Sequence, residues 1–528
     1  MSKSWFLALA MVVGAILRTY NLEHFHALDS DEGVYAQAAF TLLSGQVPYR
    51  DFFFAGPPAY LYLSAVTTSI SPSILAIRAL NAVIGVLTIP ALYYLSVQVY
   101  PSRRTATVAA WLLAVFPYSA YMNKLGIIEN LLALLLVLGL LFFFKGWEAG
   151  SFQLLLFSGL LFGTALMTKY SAVWAILPLF AILVVRRHPR RVLPLAVGIS
   201  LVPAAVTLTF AATGIFDAFY TETIAWQTIR LGQEPGERIW SFFLYMAAVF
   251  PLLLLGAIGL VKSRHEPNMP ILGIVILVVL LGQLAGRTLF FHYYVMLTPL
   301  LCIFAARGIE VAASEGQNTL RAAFNRAERG QRRAAIRRIA YAVAGLLLLV
   351  PYAIVVGSMY RDPLPASGAL FDDGTAGALA REKLEIARYI RTASEPRDRI
   401  WTSDAGLAFL SQRLIVPAEV DYWRFQGFFE DVWGYSGTTH YRGAIPGYPD
   451  GLVTLSQIRD SWRALQPKLI IMVRTSPVDD FVWNGIRNPD TNQTGLADYV
   501  LANYDLGPFI EGVGSTFYPS NTEIWVRR

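Results

Sequence analysis

The sequence predicts a polytopic α-helical membrane protein with a C-terminal extracytoplasmic α/β domain. Composition is the first reason: of 528 residues, 55% are hydrophobic and only 15% are charged, with a mean hydropathy of +0.48. Spacing is the second. Apolar runs of about 20 residues, enough to cross the hydrocarbon of a bilayer, recur through residues 1–361. The third is a change of pattern after Asp362, where charges return and helix-like stretches alternate with strand-like ones.

The same figures exclude other classes. The net charge of +7 is explained by basic residues that anchor cytoplasmic loops, and no nucleic-acid-binding pattern accompanies it. The single cysteine, Cys302, stands in an apolar run, which excludes an internal disulfide and argues against a cysteine metal site. The apolar stretch from Trp5 to Leu17 is followed by no clear small-residue cleavage site. It reads as a retained first span rather than a signal peptide.

Taken in order, spans are expected at 4–20, 73–99, 105–121, 127–144, 153–168, 171–185, 192–213, 239–261, 269–285, 290–309 and 339–359, about eleven in all. The short pair around Lys169 also fits a re-entrant hairpin. Lys3, Arg103-Arg104, Lys145, the 186–191 cluster, Lys262 with Arg264, and a very basic segment from Arg321 to Arg338 fall on one side of such an arrangement. The positive-inside rule makes that side cytoplasmic. Within the loop expected at 310–338, the basic segment reads equally as an amphipathic helix on anionic lipid and as a topology anchor. The opposite side then holds the loop at 21–72, the turns at 123–126 and 287–292, the 214–238 loop, and everything after Arg361.

Two long soluble stretches share that outer side. In the first loop, Asp29, Asp31 and Glu32 open a helical stretch in which Val34, Ala38 and Leu42 recur every four residues. Asp29 and Glu32 have capping-box spacing, and acids suit a helix start. Gly56-Pro57-Pro58 begins a second short helix, because proline fits the first turn. The tail, residues 362–528, is expected to hold helices at 379–392, 407–412, 455–465 and 496–504. Strands are expected at 399–402, 414–416, 467–473, 514–518 and 523–526.

Four groups carry candidate chemistry, each with a plainer reading beside it. Asp31-Glu32, one turn before Tyr35, fits a base for an acceptor hydroxyl and also a helix cap. Glu129, at the start of an apolar run, needs a partner. It either pairs with Lys124 or completes a site with Asp31. Arg78, Lys124, Lys169, Arg230 and Arg287, with His292, flank apolar spans. They are snorkelling anchors or a pocket for a phosphate or pyrophosphate. The aromatics Tyr49, Phe52, Phe53, Phe54, Tyr60 and Tyr62 form an interfacial belt or a surface for a sugar or isoprenoid. Asp51 holds a sugar hydroxyl or simply pairs with Arg50. Asp31 and Glu129, with His24, His26 or His292, are possible metal ligands, but no fixed-spacing motif supports a metal. Phosphate-loop, GxSxG and HExxH motifs are absent.

In this order, Asp31-Glu32-Gly-Val-Tyr35, Gly45-Gln-Val-Pro-Tyr49-Arg-Asp51-Phe-Phe, Gly56-Pro57-Pro58-Ala-Tyr60, Arg78, Glu129, Thr168-Lys169 and His292-Tyr293-Tyr294 resemble the GT-C superfamily of integral-membrane glycosyltransferases. The branch is the one containing protein O-mannosyltransferases and aminoarabinose-transferase-like enzymes. The resemblance covers roughly residues 1–310. It implies a GT-C fold and a polyprenyl-phosphate or dolichyl-phosphate sugar donor. It implies transfer of a hexosyl or pentosyl group, with inversion, to a hydroxyl of a lipid, glycan or protein acceptor at the outer face of the cell membrane. It further implies Asp31 as catalytic base, supported by Glu32, with Glu129 lining the same cavity. Lys169 and nearby arginines would lie on the donor phosphate, and Tyr35, Asp51 and Tyr60 in the cavity. Relatives often carry Lys or His before Pro-Pro, where this chain has Ala55-Gly56. A divalent cation serves some members and not others, so the cofactor stays open. A lipid or glycan transporter and a non-catalytic scaffold are the competing readings. A transporter would be expected to show inverted repeats, and the sequence has none.

Overall fold

The computed structural model describes residues 4–22, 30–185, 189–225, 227, 235–286, 288–324, 350–361, 376–402, 404–416, 455–473, 495–510 and 522–528. Helix α1 (Ser4–Thr19) is followed by α2 (Ser30–Leu43), α3 (Ala59–Ile70) and the long α4 (Ile74–Val99). Next come α5 (Arg103–Val115), α6 (Pro117–Met122), α7 (Ile128–Ala149), α8 (Phe152–Leu166), α9 (Val173–Val185) and α10 (Pro189–Ala212). A short α11 (Phe216–Tyr220) runs into a π-helical turn at Thr221–Ala225. Then follow α12 (Pro235–Ala248), α13 (Phe250–Lys262), α14 (Met269–Ala285), a 3-10 segment (Phe291–Leu297), α15 (Thr298–Phe324) and α16 (Val350–Arg361).

Among the described residues, four helices are long and apolar enough to cross a membrane: Ile74–Val99, Ile128–Ala149, Arg190–Ala212 and Phe291–Ser314. Two expected spans are interrupted. The run at 105–121 breaks at Phe116, because Pro117 cannot donate the bond that would continue α5. The run at 239–261 is bent by 71° between α12 and α13, where Pro251 stands in the first turn of α13. Shorter apolar helices occupy Trp5–Thr19, Phe152–Leu166, Tyr170–Val185 and Met269–Ala285.

The chain divides into two compact units. The first comprises Met1–Leu22, Arg78–Val206 and Gly232–Leu370. Its interior holds a fully buried arginine, Arg18, near the end of α1. Arg18 Nε donates to Asn123 Oδ1 at 2.9 Å, and its two terminal nitrogens donate to Ala114 O at 2.8 Å and Leu113 O at 2.9 Å. Asn123 donates on to Asn130 Oδ1 at 2.6 Å, and Asn130 to Asn81 Oδ1 at 3.2 Å. This chain of amides joins α1, α4, α6 and α7 through groups that would be costly if left unpaired in an apolar interior. Elsewhere Gly259 and Gly308 let α13 and α15 approach backbone to backbone, where an added Cβ would strike a carbonyl.

The second unit comprises Glu23–Ile77, Thr207–Leu231 and Phe371–Arg528. The loop expected at 21–72 and the tail thus fall into one compact body. In the tail, α17 (Ala376–Ala393) precedes β1 (Arg399–Thr402), α18 (Ala405–Ser411), β2 (Leu414–Ile415), α19 (Leu455–Leu465), β3 (Leu469–Val473), α20 (Leu496–Asn503), β4 (Tyr504–Ile510) and β5 (Thr522–Arg527). The five-stranded sheet has the order β2-β1-β3-β5-β4. Strands β2, β1 and β3 are parallel, and β5 is antiparallel to both β3 and β4. The sequence missed β4, because Asp505, Gly507 and Pro508 read as a turn. At the edge of the sheet formed by the described residues it tolerates proline, and its register shifts between Leu506 and Phe509. The strand expected at 514–518 and the segment 321–338, apart from the part of α15 that ends at Phe324, lie outside the described residues.

Candidate functional site

Glu129 stands in the first turn of α7, where the exposed amides of a helix start favour an acid. Its side chain is buried, and Oε1 forms an ion pair with Lys169 Nζ. Nε2 of His292 lies 3.6 Å from the same oxygen. Lys169 arrives there because α8 stops at Leu166 and the chain turns extended at residue 169. Its ammonium sits 3.5 Å from the centre of the Tyr293 ring, a cation–π contact. His292 and Tyr293 come from the 3-10 segment, and the His292 ring stacks parallel to Phe290. Glu129 Oε2 is buried and has no hydrogen-bond partner among the described residues.

The plainer reading of Glu129, a pairing with Lys124, is not what forms; its cation is Lys169. Lys124 Nζ donates to Tyr20 O at 2.9 Å, and burial pulls its ammonium below the usual lysine range. Arg78, also buried, donates to Leu22 O at 3.3 Å. Both cations therefore reach carbonyls just beyond the C-terminal end of α1, where the helix dipole favours positive charge.

In the second unit, Asp31 and Glu32 occupy the first turn of α2. Asp31 is half-buried and Glu32 is buried. Tyr35, one turn on, packs edge-on against Tyr60 at 5.1 Å and Phe54 at 6.3 Å. Pro58 stands at the N-cap of α3, one residue before the first turn in which the sequence placed it. Asp51 is committed to its own turn. Its carboxylate accepts from Val47 N at 2.7 Å and pairs with Arg50 at 2.9 Å. The Arg50 hydrogen bond, with the Val47 amide second, holds Asp51 below the usual carboxylate range.

Sequence reasoning missed Glu222. It lies in the π-helical turn, and its Oε2 accepts from Phe54 N at 2.9 Å. Gln227 donates to Ala55 O at 2.9 Å. Together they pin the aromatic loop, and Tyr49 inside that loop is held at φ 67 with its hydroxyl on Gly56 O at 2.8 Å. The acid in Thr221-Glu222-Thr223 was the available signal. Asp29, His24, His26, Arg230 and Arg287 lie outside the described residues.

No group of three or more His, Cys, Asp or Glu side chains that could hold a metal comes together among the described residues. Chemically Lys169 is a fixed, partly buried ammonium whose counter-charge, Glu129, is buried beside it. Such a group suits an anionic oxygen.

A family model described as dolichyl-phosphate-mannose-protein mannosyltransferase matches residues 55–213. The structure of ArnT from Cupriavidus metallidurans bound to undecaprenyl phosphate is similar with a TM-score of 0.61 at 17% identity, covering 99% of this chain and 98% of that one. An apo oligosaccharyltransferase from Archaeoglobus fulgidus is similar with a TM-score of 0.54 at 13% identity, covering 98% and 74%. The fold is that of the GT-C glycosyltransferases. A further structure, the oligosaccharyltransferase AglB from Archaeoglobus fulgidus in complex with an inhibitory peptide and a dolichol-phosphate, has a TM-score of 0.50 at 13% identity and covers 96% and 73%. No curated protein matches the sequence. Within the GT-C frame the small sheet domain of the tail is present as expected, and the family match falls on α3 to α10, the stretch that carries Arg78, Lys124, Glu129 and Lys169.

Proposed function

We propose that this chain is an inverting glycosyltransferase of the cell membrane. It takes a sugar from a polyprenyl-phosphate carrier and gives it to an acceptor hydroxyl at the extracytoplasmic face. The observation that carries this reading is the Glu129–Lys169–His292 cluster in a chain of GT-C fold. A buried carboxylate that holds a lysine in place presets positive charge for a phosphate leaving group. Preorganised charge of this kind stabilises the transition state without reorganising during the reaction.

The roles follow. Asp31 accepts the proton of the acceptor hydroxyl as its oxygen attacks the anomeric carbon. The bond from that carbon to the phosphate oxygen breaks on the opposite face, and the anomeric centre inverts. Lys169 and His292, with Arg230 and Arg287, take the departing phosphate, and Arg78 and Lys124 add to the positive field while capping α1. Tyr35 offers its ring to the sugar, with the fully buried Tyr60 packed edge-on behind it. The division expected at residues 361 and 362 is kept as a division of labour, with the spans on the donor and the tail on the acceptor. A lipid, a glycan and a protein are all acceptors of suitable chemistry.

The test is transfer of radiolabelled sugar from a panel of synthetic polyprenyl-phosphate sugars into membrane lipid, glycan and protein, with wild type beside Asp31→Asn. Label that moves only with wild type supports the reading, and the labelled fraction names the acceptor class. Equal transfer by the two proteins would remove Asp31 from the mechanism. Consumption of none of the donors would favour a transporter.

A further inference from the structure

We infer that the C-terminal α/β domain is a positioning element for Asp31, acting through a glycine-to-glycine contact between Gly33 of α2 and Gly406 of α18. The inference rests on the role proposed for Asp31.

Helix α2 has two faces, separated by its 3.6-residue period. Gly33, Gln37 and Phe40 lie on one side. Asp31 and Tyr35 lie on the other, since residue 33 is about 200° around the helix from residue 31. The first face is packed into the tail. A Cβ on Gly33 would stand 2.8 Å from both Cα and N of Gly406, so neither backbone can retreat from it cheaply. Val34 belongs to the same buried cluster as Ile386, Ile400, Ala405, Leu469 and Ile524, which is the core of the sheet domain. Gln37 Nε2 donates to Arg413 O at 3.0 Å. Phe40 meets Phe409 edge-on at 6.4 Å.

The platform under α2 is itself fixed. Asp404 caps α18 through Gly406 N at 2.8 Å and pairs with Lys383 of α17 at 2.7 Å. Arg413 ties the start of β2 to the end of α17 through Ser394 O at 2.7 Å. Ser30–Leu43 is therefore a component of the tail's core, although some 360 residues separate it in sequence from α18. The domain's fold decides where the first turn of α2 stands, and so where Asp31 stands.

The experiment uses the full-length protein in lipid nanodiscs, wild type beside Gly406→Val, with Gly406→Ala as the milder variant should valine prevent folding. Hydrogen exchange is read on peptides covering 30–43 and, as an internal control, on α7. Turnover is read with whichever polyprenyl-phosphate sugar of the panel wild type consumes. Exchange in 30–43 should rise about tenfold or more while α7 is unchanged. The kcat should fall on the order of 100-fold, with the KM for donor within about twofold, because a displaced base costs chemistry and not binding. Gly33→Ala combined with Gly406→Ala should be less than additive, since the first added Cβ already parts the helices. Arg528→Ala, which removes an exposed pair with Asp505, should change nothing. Wild-type exchange in 30–43, or unchanged kcat in both Gly406 variants, would overturn the inference. If Asp31→Asn keeps full turnover, the base assignment fails instead, and the exchange result still reports on the contact.

Discussion

Asp31 and Glu129 both stand in the first turn of a helix, yet they are held in opposite ways. Glu129 is sunk among spans, and its charge is matched by Lys169 and approached by His292. Asp31 is half-buried, on a helix whose other face is built into a soluble domain. The first arrangement fixes a charge, because removing one partner strands the other in the interior. The second fixes a position and leaves the carboxyl at the edge of solvent. A transfer reaction needs both: a preset counter-charge for the leaving group and a movable proton at the nucleophile.

The comparison is broken most directly at Asp31. Replacement by Asn is expected to lower sugar transfer by about 10²–10⁴-fold with an unchanged melting temperature, measured by labelled transfer and by thermal unfolding in the same detergent. Lys169→Met should behave differently, losing activity and stability together. It leaves the Glu129 carboxylate buried without its main cation, at a cost of about 3–5 kcal/mol. A melting temperature equal to wild type would show that the pair is not what holds the 3-10 segment and α8 to α7. On the other side, Val34→Ala removes two methyl groups from the tail's core and should destabilise that domain by about 2 kcal/mol, with proteolysis of the tail as the readout.

The smallest effect belongs to Asp51. Its carboxyl is depressed by Arg50 and the Val47 amide, so it contributes stability above its unfolded value of about 4 and loses it as pH falls through the lower folded value. Asp51→Asn should therefore shift unfolding slightly at pH 7 and not at all in strong acid. A substantial loss of transfer in this variant would instead return Asp51 to the cavity.

Much of this was legible from periodicity and composition. Strand β1 and helix α19 fall where alternation and amphipathic spacing put them, and α3 begins at Ala59, one residue after the proline expected to open it. What escaped was whatever depended on distant residues. Lys124 was the obvious partner for Glu129 because it is five residues away, but the cation that arrives lies forty residues on, at the end of a different helix. Strand β4 was hidden by Gly507-Pro508, which it tolerates at the edge of the sheet formed by the described residues. The docking of α2 left one trace, Gly33, and a glycine two residues after an acid is too common to point to Gly406.

The buried arginine of α1 bears on how the chain is made. Arg18 lies on α1, and its hydrogen-bond acceptors include groups of residues 113–123, about a hundred residues later in the chain. Until that later stretch has been synthesised, those acceptors are missing, and a guanidinium in lipid costs about 2.5–3.5 kcal/mol on biological insertion scales. Helix α1 is thus expected to remain at the insertion machinery, or to lie shallow, while about a hundred further residues are added. Nascent chains stopped at residue 100 should show α1 accessible to aqueous labelling, and chains stopped beyond residue 160 should not.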